Sequence, residues 1–138
     1  MSDSALQKPN FSVCFEPENS LIRINWQGEV NETELLEGYK MTLEVIRQNP
    51  VQRILIDKSR RVLTMKNDPE PIFETLFNEA LKLIGNTLFL ALVVSPEEYY
   101  LSSEISRFGN YEGIVNNYVI VERFKSRQEA EAWLASVK

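Results

Sequence analysis

A short apolar run that stops at an acidic residue constrains the fold of this chain more than any other feature. Ile54, Leu55 and Ile56 are followed at once by Asp57. The run is too short for a helix, and its lack of alternation is typical of a strand buried on both faces. Such strands occur in α/β sheets covered by helices, which bind ligands at the carboxyl ends of their strands. The segment therefore predicts both a fold class and the region of a binding surface.

The rest of the pattern predicts one α/β domain with the element order ββαβαβαβα. The predicted strands are 11–15, 21–26, the run around 54–56, 87–94 and 118–124. Capping pairs predict helix starts at Asn31, Ser95 and Ser126, and Gly85 predicts a helix stop. Because strand–helix–strand units pair in parallel and the opening hairpin is antiparallel, we predict a mixed sheet of about five strands. Its two most apolar strands should be central. Segment 1–10 should be disordered or extended, and the domain should span 11–138.

Charge and composition limit the classes of partner. The formal net charge of −5 argues against general nucleic-acid or anionic-membrane binding, which needs a basic surface. No apolar run approaches the ~20 residues needed to cross a bilayer. The single cysteine, Cys14, excludes an intrachain disulfide and fits a reducing compartment. The first ten residues lack the apolar stretch of a signal peptide, so we expect a cytoplasmic protein.

The residue types required by common catalytic sites are missing. The chain has no histidine, which excludes Ser-His and Cys-His catalysis, and one cysteine cannot form a zinc cluster. No glycine-rich dinucleotide or phosphate loop is present. Glu97 and Glu98 are adjacent in a predicted helix start, where they stabilise the helix end more readily than they act as a catalytic pair. We therefore predict a protein that is not an enzyme and needs no metal or cofactor.

The segment Lys58–Pro71 is predicted to be a long loop, of which residues 58–67 should be more mobile than the strands and helices. Loops of this length in compact domains are usually functional or disordered. It contains a dense group of cations in an otherwise acidic chain, formed by Lys58, Arg60, Arg61 and Lys66. These cations are either a site for an anion or an acidic partner, or part of a solvated loop that is basic by chance.

Four aromatic residues follow the predicted helix start at Ser95. Tyr99, Tyr100, Phe108 and Tyr111 are more aromatic residues than a short helix and its following loop require. They either line an apolar pocket beside the sheet or belong to the ordinary core and its edge.

The chain resembles the STAS/SpoIIAA-like family, which is related to the anti-sigma-factor antagonists and to the CRAL-TRIO fold. The resemblance rests on the strand order, on the Ile54–Ser59 strand ending and on the closing segment Phe124–Leu134. It implies a non-catalytic binding or regulatory module. In the antagonists a partner kinase phosphorylates a serine just past the third strand, and Ser59 matches that serine by position. The cations around Ser59, and the lack of a following glycine, depart from the family pattern.

These observations predict a binding site at the carboxyl ends of the central strands. Its expected residues are Asp57, Ser59, Arg60, Arg61, Ser95 and Tyr99. The predicted function is a regulatory or binding module for a protein partner or a small apolar or anionic ligand. The alternative is a structural protein that forms homo-oligomers and has no ligand. Asp57 and Ser59 also have a purely local interpretation, in which the carboxylate and the hydroxyl order the start of the loop.

Overall fold

A mixed β-sheet runs through the described chain, which in this computed structural model comprises residues 5–101, 111–112 and 118–137. The strands are β1 (Ala5–Lys8), β2 (Phe11–Glu16), β3 (Leu21–Val30), β4 (Arg53–Leu63), β5 (Leu88–Val93), β6 (Tyr111–Glu112) and β7 (Tyr118–Phe124). The helices are α1 (Glu32–Gln48), α2 (Glu70–Ile84), α3 (Pro96–Leu101) and α4 (Arg127–Ser136). Within these ranges no helix is both long and apolar enough to span a bilayer.

The sheet has the strand order β1-β2-β3-β4-β5-β7-β6. Strands β3, β4, β5 and β7 are parallel, whereas β1, β2 and β6 pair antiparallel at the two sides. The predicted α/β order ββαβαβαβα is confirmed, and its five strands are β2, β3, β4, β5 and β7. The short strands β1 and β6 are added at the edges. The two strands predicted to be central, β4 and β5, lie in the middle of the sheet.

Each face of the sheet has its own apolar core. Helices α1 and α2 cover one face, here called the α1/α2 face, where Ile54 and Ile56 are buried with Leu90. Helix α4 covers the other face, here called the α4 face, where Leu55 is buried with Ala130. Because successive strand residues point to opposite sides, both cores require an apolar residue at every position of the run that ends at Asp57.

Local sequence signals account for the helix ends. Asn31 accepts a hydrogen bond from the amide of Glu34, and the Glu34 carboxylate accepts one from the amide of Asn31, which completes the predicted capping box of α1. Ser126 caps α4 by accepting from the amide of Glu129. Gly85 ends α2 with a φ of 70°, which other residues adopt at a cost.

The prediction that Lys58–Pro71 forms a loop is wrong for the first half of the segment. Strand β4 continues through Leu63, and only 64–69 connects it to α2. The physical reason is that β3 also continues, past Gly28 at a φ of 76°, so that Gln27–Val30 offers backbone groups to Arg60–Leu63. This pairing is non-local, so the sequence of the second half of β4 does not by itself predict it.

A β-bulge lies in the extended part of β4. Asn25 pairs with Asp57, but the next pair is Gln27 with Arg60, so the single residue between Asn25 and Gln27 opposes two residues of β4. An extra residue reverses the alternation of side chains along the strand. As a result, Lys58 and Arg61 line the same cavities, although they are three positions apart in sequence.

Candidate functional site

Three cations come together on the α1/α2 face at the carboxyl ends of the strands. Lys58 and Arg61 belong to β4, and Arg123 of β7 pairs with Leu92 of β5. The positive charges of Arg61 and Arg123 both act on the ammonium group of Lys58. Lys58, Arg61 and Arg123 are here called the cation cluster.

Arg61 contacts aromatic side chains, and the carboxylate of Glu98 acts on its charge without forming an ion pair. Its guanidinium carbon lies 5.5 Å from the ring centroid of Trp26 and 5.7 Å from that of Phe73. The guanidinium also interacts with the hydroxyl of Tyr39, a buried side chain of α1. In the part of the chain that the structure describes, no carboxylate forms an ion pair with Arg61. Burial lowers the pKa of Arg61, which means that the surroundings favour its charge less than water does.

Lys58 is a second inward-facing cation. Only 12% of its side chain is exposed, and its Nζ lies 3.1 Å from Oε2 of Glu98 in α3. Burial lowers the pKa of Lys58, and the charges of Arg61 and Arg123 act in the same direction, while Glu98 opposes them. The site therefore concentrates positive charge in surroundings that solvate it poorly.

Two spaces that share lining residues border these cations. The inner cleft, of about 30 Å³, has room for a group about the size of a water molecule or a methyl. Its walls are Trp26, Tyr39, Ile56, Lys58, Arg61, Phe73, Leu76, Phe77 and Leu92. The outer groove, of about 340 Å³, opens between β4, α2 and α3. Its lining is Lys58, Arg61, Leu63, Asp68, Pro69, Glu70, Phe73 and Glu98.

Asp57 and Ser59, both predicted to belong to the site, instead anchor α4. One carboxylate oxygen of Asp57 accepts hydrogen bonds from the Ser59 amide at 3.0 Å and hydroxyl at 2.7 Å. The other accepts from Nε of Arg127 at 2.6 Å, and Arg127 also donates to Asn25 at 2.8 Å. Burial alone would raise the pKa of Asp57, but the hydrogen bonds from Ser59 and Arg127 outweigh it and lower the pKa. The local interpretation of both residues accounts for this geometry.

The remaining predicted residues divide between two places. Arg60 is exposed and borders a separate groove beside Gly28, away from the cation cluster. Ser95 accepts a hydrogen bond from the amide of Glu98, so it caps α3 and positions the partner of Lys58. Tyr99 packs at the edge of the α1/α2 core, with its ring centroid 5.7 Å from the guanidinium of Arg123.

Of the aromatic residues proposed to line a pocket, only two have described side chains. Tyr99 is half-buried, whereas Tyr100 is 63% exposed and its hydroxyl accepts a hydrogen bond from Lys125. Phe108, and the side chain of Tyr111, lie outside what the structure describes. The aromatic residues that border the inner cleft come from earlier elements, as Trp26, Tyr39, Phe73 and Phe77.

Sequence reasoning missed Arg123 as well as these aromatic residues. A signal for Arg123 was present, because Val119, Val121 and Arg123 alternate along β7 and therefore share one face of a buried strand. A charged residue in that position points toward a site. Trp26, Tyr39 and Phe73 carried no such signal, because an aromatic residue on the apolar face of a strand or helix is most often part of the core.

Metal binding has no support in the described ranges, where no three His, Cys, Asp or Glu side chains are grouped to hold an ion. Cys14 is half-buried in β2, and burial raises the pKa of its thiol, which disfavours the reactive thiolate. A scan against protein-family models found no match, and a search of curated proteins found no similar sequence. The residues of the site are therefore the basis for its chemistry.

Proposed function

We propose that this protein is a non-catalytic binding module that holds a small anionic ligand with an apolar portion at the cation cluster. The observation that carries the proposal is Arg61, an inward-facing guanidinium that contacts Trp26 and Phe73 and has no ion pair with a described carboxylate. The charge of Glu98 acts on Arg61 without forming an ion pair, so the buried guanidinium is compensated only in part. A buried charge that lacks a paired counter-charge lowers the free energy of unfolding by several kcal/mol unless something compensates it. A bound anion supplies that compensation.

The chemistry of Arg61 specifies the kind of anion. A guanidinium presents paired N–H donors that match the two oxygens of a carboxylate or phosphate. Lys58 adds a second donor from the same strand. The aromatic and aliphatic walls of the inner cleft favour an apolar group attached to the anion, since such walls stabilise apolar surface removed from water.

A regulatory role of STAS/SpoIIAA-like type is compatible with this proposal. Its support is the element order and the position of Ser59 directly after the apolar run of β4. Phosphorylation of Ser59 would place a phosphoryl group against the Asp57 carboxylate, which its hydroxyl now contacts, and would compete for Arg127. Such a modification would act on the attachment of α4. The half-buried free thiol of Cys14 fits the cytoplasm as the compartment.

The alternative, a homo-oligomer without ligand, has weaker support. A broad apolar patch on one surface would favour it. The large apolar side chains that are most exposed in the described ranges are instead spread over four elements, as Leu36 of α1, Val62 of β4, Leu83 of α2 and Tyr100 of α3.

The test is a calorimetric titration with isocaproate, a branched carboxylate that combines one anionic group with a short apolar tail. The titration is run at low salt on the parent protein and on the variants Arg61→Met and Arg60→Met. These variants are a matched pair, because adjacent arginines of one strand are replaced by the same residue and only Arg61 faces the cleft. We expect the parent and Arg60→Met to bind, and Arg61→Met to lose at least about tenfold in affinity.

Two results would refute the proposal. The first is the absence of heat and of chemical-shift changes when isocaproate and inorganic phosphate are each added to the parent. The second is equal affinity of the parent and a folded Arg61→Met variant, because binding would then not depend on the cation that faces the cleft. Circular dichroism of each variant establishes that it is folded.

A further inference from the structure

We infer that the ligand is a zwitterion of the α-amino-acid type with a small apolar side chain. This inference rests on the proposed function and names the ligand class of the same site. Its basis is the lining of the outer groove, where two cations and three carboxylates face one space.

The outer groove presents both signs of charge, on different sides. Lys58 and Arg61 come from β4, and both also line the inner cleft. Asp68 and Glu70 come from the connection to α2 and its first turn, and Glu98 comes from α3, so the acidic wall lies on the α2 and α3 sides. A molecule in the groove therefore meets cations on the β4 side and carboxylates on the other sides.

This arrangement disfavours a simple multivalent anion. A phosphate that reached Arg61 would carry close to two negative charges past three carboxylates, which would repel it. A carboxylate with an ammonium group on the adjacent carbon avoids that repulsion, since its negative end faces Arg61 and Lys58 while its positive end faces an acidic wall. Specificity then arises from repulsion of ligands that lack the ammonium group, as well as from attraction.

Glu98 is the carboxylate best placed to select the ammonium group. Its Oε2 lies 3.1 Å from Nζ of Lys58, so an ammonium beside a carboxylate bound at Lys58 would be within its reach. The Ser95 cap and the helix α3 hold Glu98 in this position. Glu98 therefore balances Lys58 and sets a preference among ligands.

The space left for a side chain is apolar and small. The apolar part of the outer groove is formed by Leu63, Pro69 and Phe73. The inner cleft accepts only the small tip of a side chain. A groove of about 340 Å³ is at the lower limit for small-molecule sites. Leucine-sized amino acids fit these limits better than peptides or nucleotides do.

The experiment compares three probes that differ by one charged group. L-leucine carries both charges, isocaproate lacks the ammonium group and isoamylamine lacks the carboxylate. Each is titrated calorimetrically at pH 7 and low salt into the parent and into the variants Glu98→Gln and Arg61→Met. For the parent we expect L-leucine to bind about tenfold more tightly than isocaproate, and isoamylamine not to bind.

The variant Glu98→Gln is a sharper test than the parent alone, because it should shift the preference from L-leucine toward isocaproate. Removing this carboxylate removes an attraction for the ammonium of L-leucine and a repulsion for isocaproate. L-leucine should therefore bind more weakly and isocaproate more tightly than they bind to the parent. Arg61→Met should weaken both ligands.

Each failure has a distinct meaning. If isocaproate binds the parent as tightly as L-leucine or more tightly, the zwitterion inference is wrong and the proposed anion site stands. If neither binds, the zwitterion inference is wrong, and the proposed anion site fails with it only if inorganic phosphate also gives no response. The ratio of the L-leucine and isocaproate affinities could also stay unchanged in a folded Glu98→Gln variant. That result would overturn the inference, because the Glu98 carboxylate would then not select the ammonium group.

Discussion

Lys58 and Arg61 point into the same cleft although they are three positions apart along one strand. In a regular strand, residues three apart face opposite sides of the sheet. The bulge opposite Trp26 inserts the extra residue that reverses this alternation. Two cations are thereby directed into a cleft lined by aromatic and aliphatic residues. The proposed binding of an anion there depends on this bulge.

Arg61 should lower the stability of the ligand-free protein. Burial lowers its pKa, so the folded state disfavours the charged guanidinium, and the ring contacts with Trp26 and Phe73 offset only part of that penalty. We expect Arg61→Met to raise the free energy of unfolding by about 1 kcal/mol, measured by urea denaturation. Arg60→Met is the control and should change stability by less than about 0.5 kcal/mol, since Arg60 is exposed. If Arg61→Met is less stable than the parent, Arg61 stabilises the ligand-free fold. That result would contradict the claim that the protein keeps Arg61 for binding at the expense of stability.

Lys58 should lose its proton at a lower pH than Lys125. Burial lowers the pKa of Lys58, whereas the hydrogen bond to Tyr100 raises the pKa of Lys125. A lysine whose folded pKa is lowered destabilises the fold while it is charged; that penalty begins to fall as the pH rises through the folded pKa and is gone above the unfolded pKa. Nuclear magnetic resonance of the lysine side chains should resolve the two titrations. In Arg61→Met the Lys58 pKa should rise, because a neighbouring positive charge is removed. A Lys58 titration that is insensitive to this change would mean that the two cations do not share one site.

Asp57 should make the protein sensitive to acid. The hydrogen bonds from Ser59 and Arg127 lower its pKa below the ordinary value of 3.8 despite its burial. A lowered carboxyl pKa stabilises the fold above the unfolded value of about 3.9, and the stabilisation is lost as the pH falls through the folded pKa. We expect Asp57→Asn to lower the free energy of unfolding by about 1–2 kcal/mol at pH 7 and to flatten its decline below about pH 4. Urea unfolding at several pH values measures both effects, and a parallel decline in parent and variant would assign the acid sensitivity to other groups.

Gly38 should tolerate no side chain. A Cβ at this position of α1 would lie 2.3 Å from Cη2 of Trp26, a ring that is 1% exposed. Alanine favours helix formation over glycine by about 1 kcal/mol, but overpacking of this size outweighs that gain. We expect Gly38→Ala to lower the melting temperature. In a Trp26→Phe background the same change should be much less harmful, because the clashing ring atoms are absent. Equal losses in both backgrounds would refute the steric explanation.

Much of the fold could be predicted from the sequence, because its signals are local. The apolar run before Asp57, the capping box at Asn31 and the stop at Gly85 each depend on a few neighbouring residues. The far half of β4 could not be predicted, since its cations suggested a loop and it is extended because β3 continues beside it. Pairing partners that are distant in sequence leave no periodicity in the strand itself.

The candidate site could be anticipated only in part. The strand ends and the local cations led to the prediction of Arg61, which lines the cleft together with Lys58. The bulge decides which neighbouring cations face the cleft, and nothing in the run Lys58–Arg61 specifies it. The contacts of Asp57 and Ser59 could not be predicted either, because the hydrogen bond from Arg127 to Asp57 depends on the position of α4.

The most direct test of the central claim is a titration observed at the arginine side chains. Nitrogen–proton correlation spectra of the parent protein are recorded while isocaproate, and then L-leucine, is added at low salt, with Arg60→Met and Arg61→Met used to assign the two Nε signals. We predict that the Arg61 Nε signal shifts with the same dissociation constant that calorimetry gives, while the Arg60 signal stays in place. Saturation of the protein by either ligand with an unmoved Arg61 signal would contradict the claim that Arg61 binds the anion.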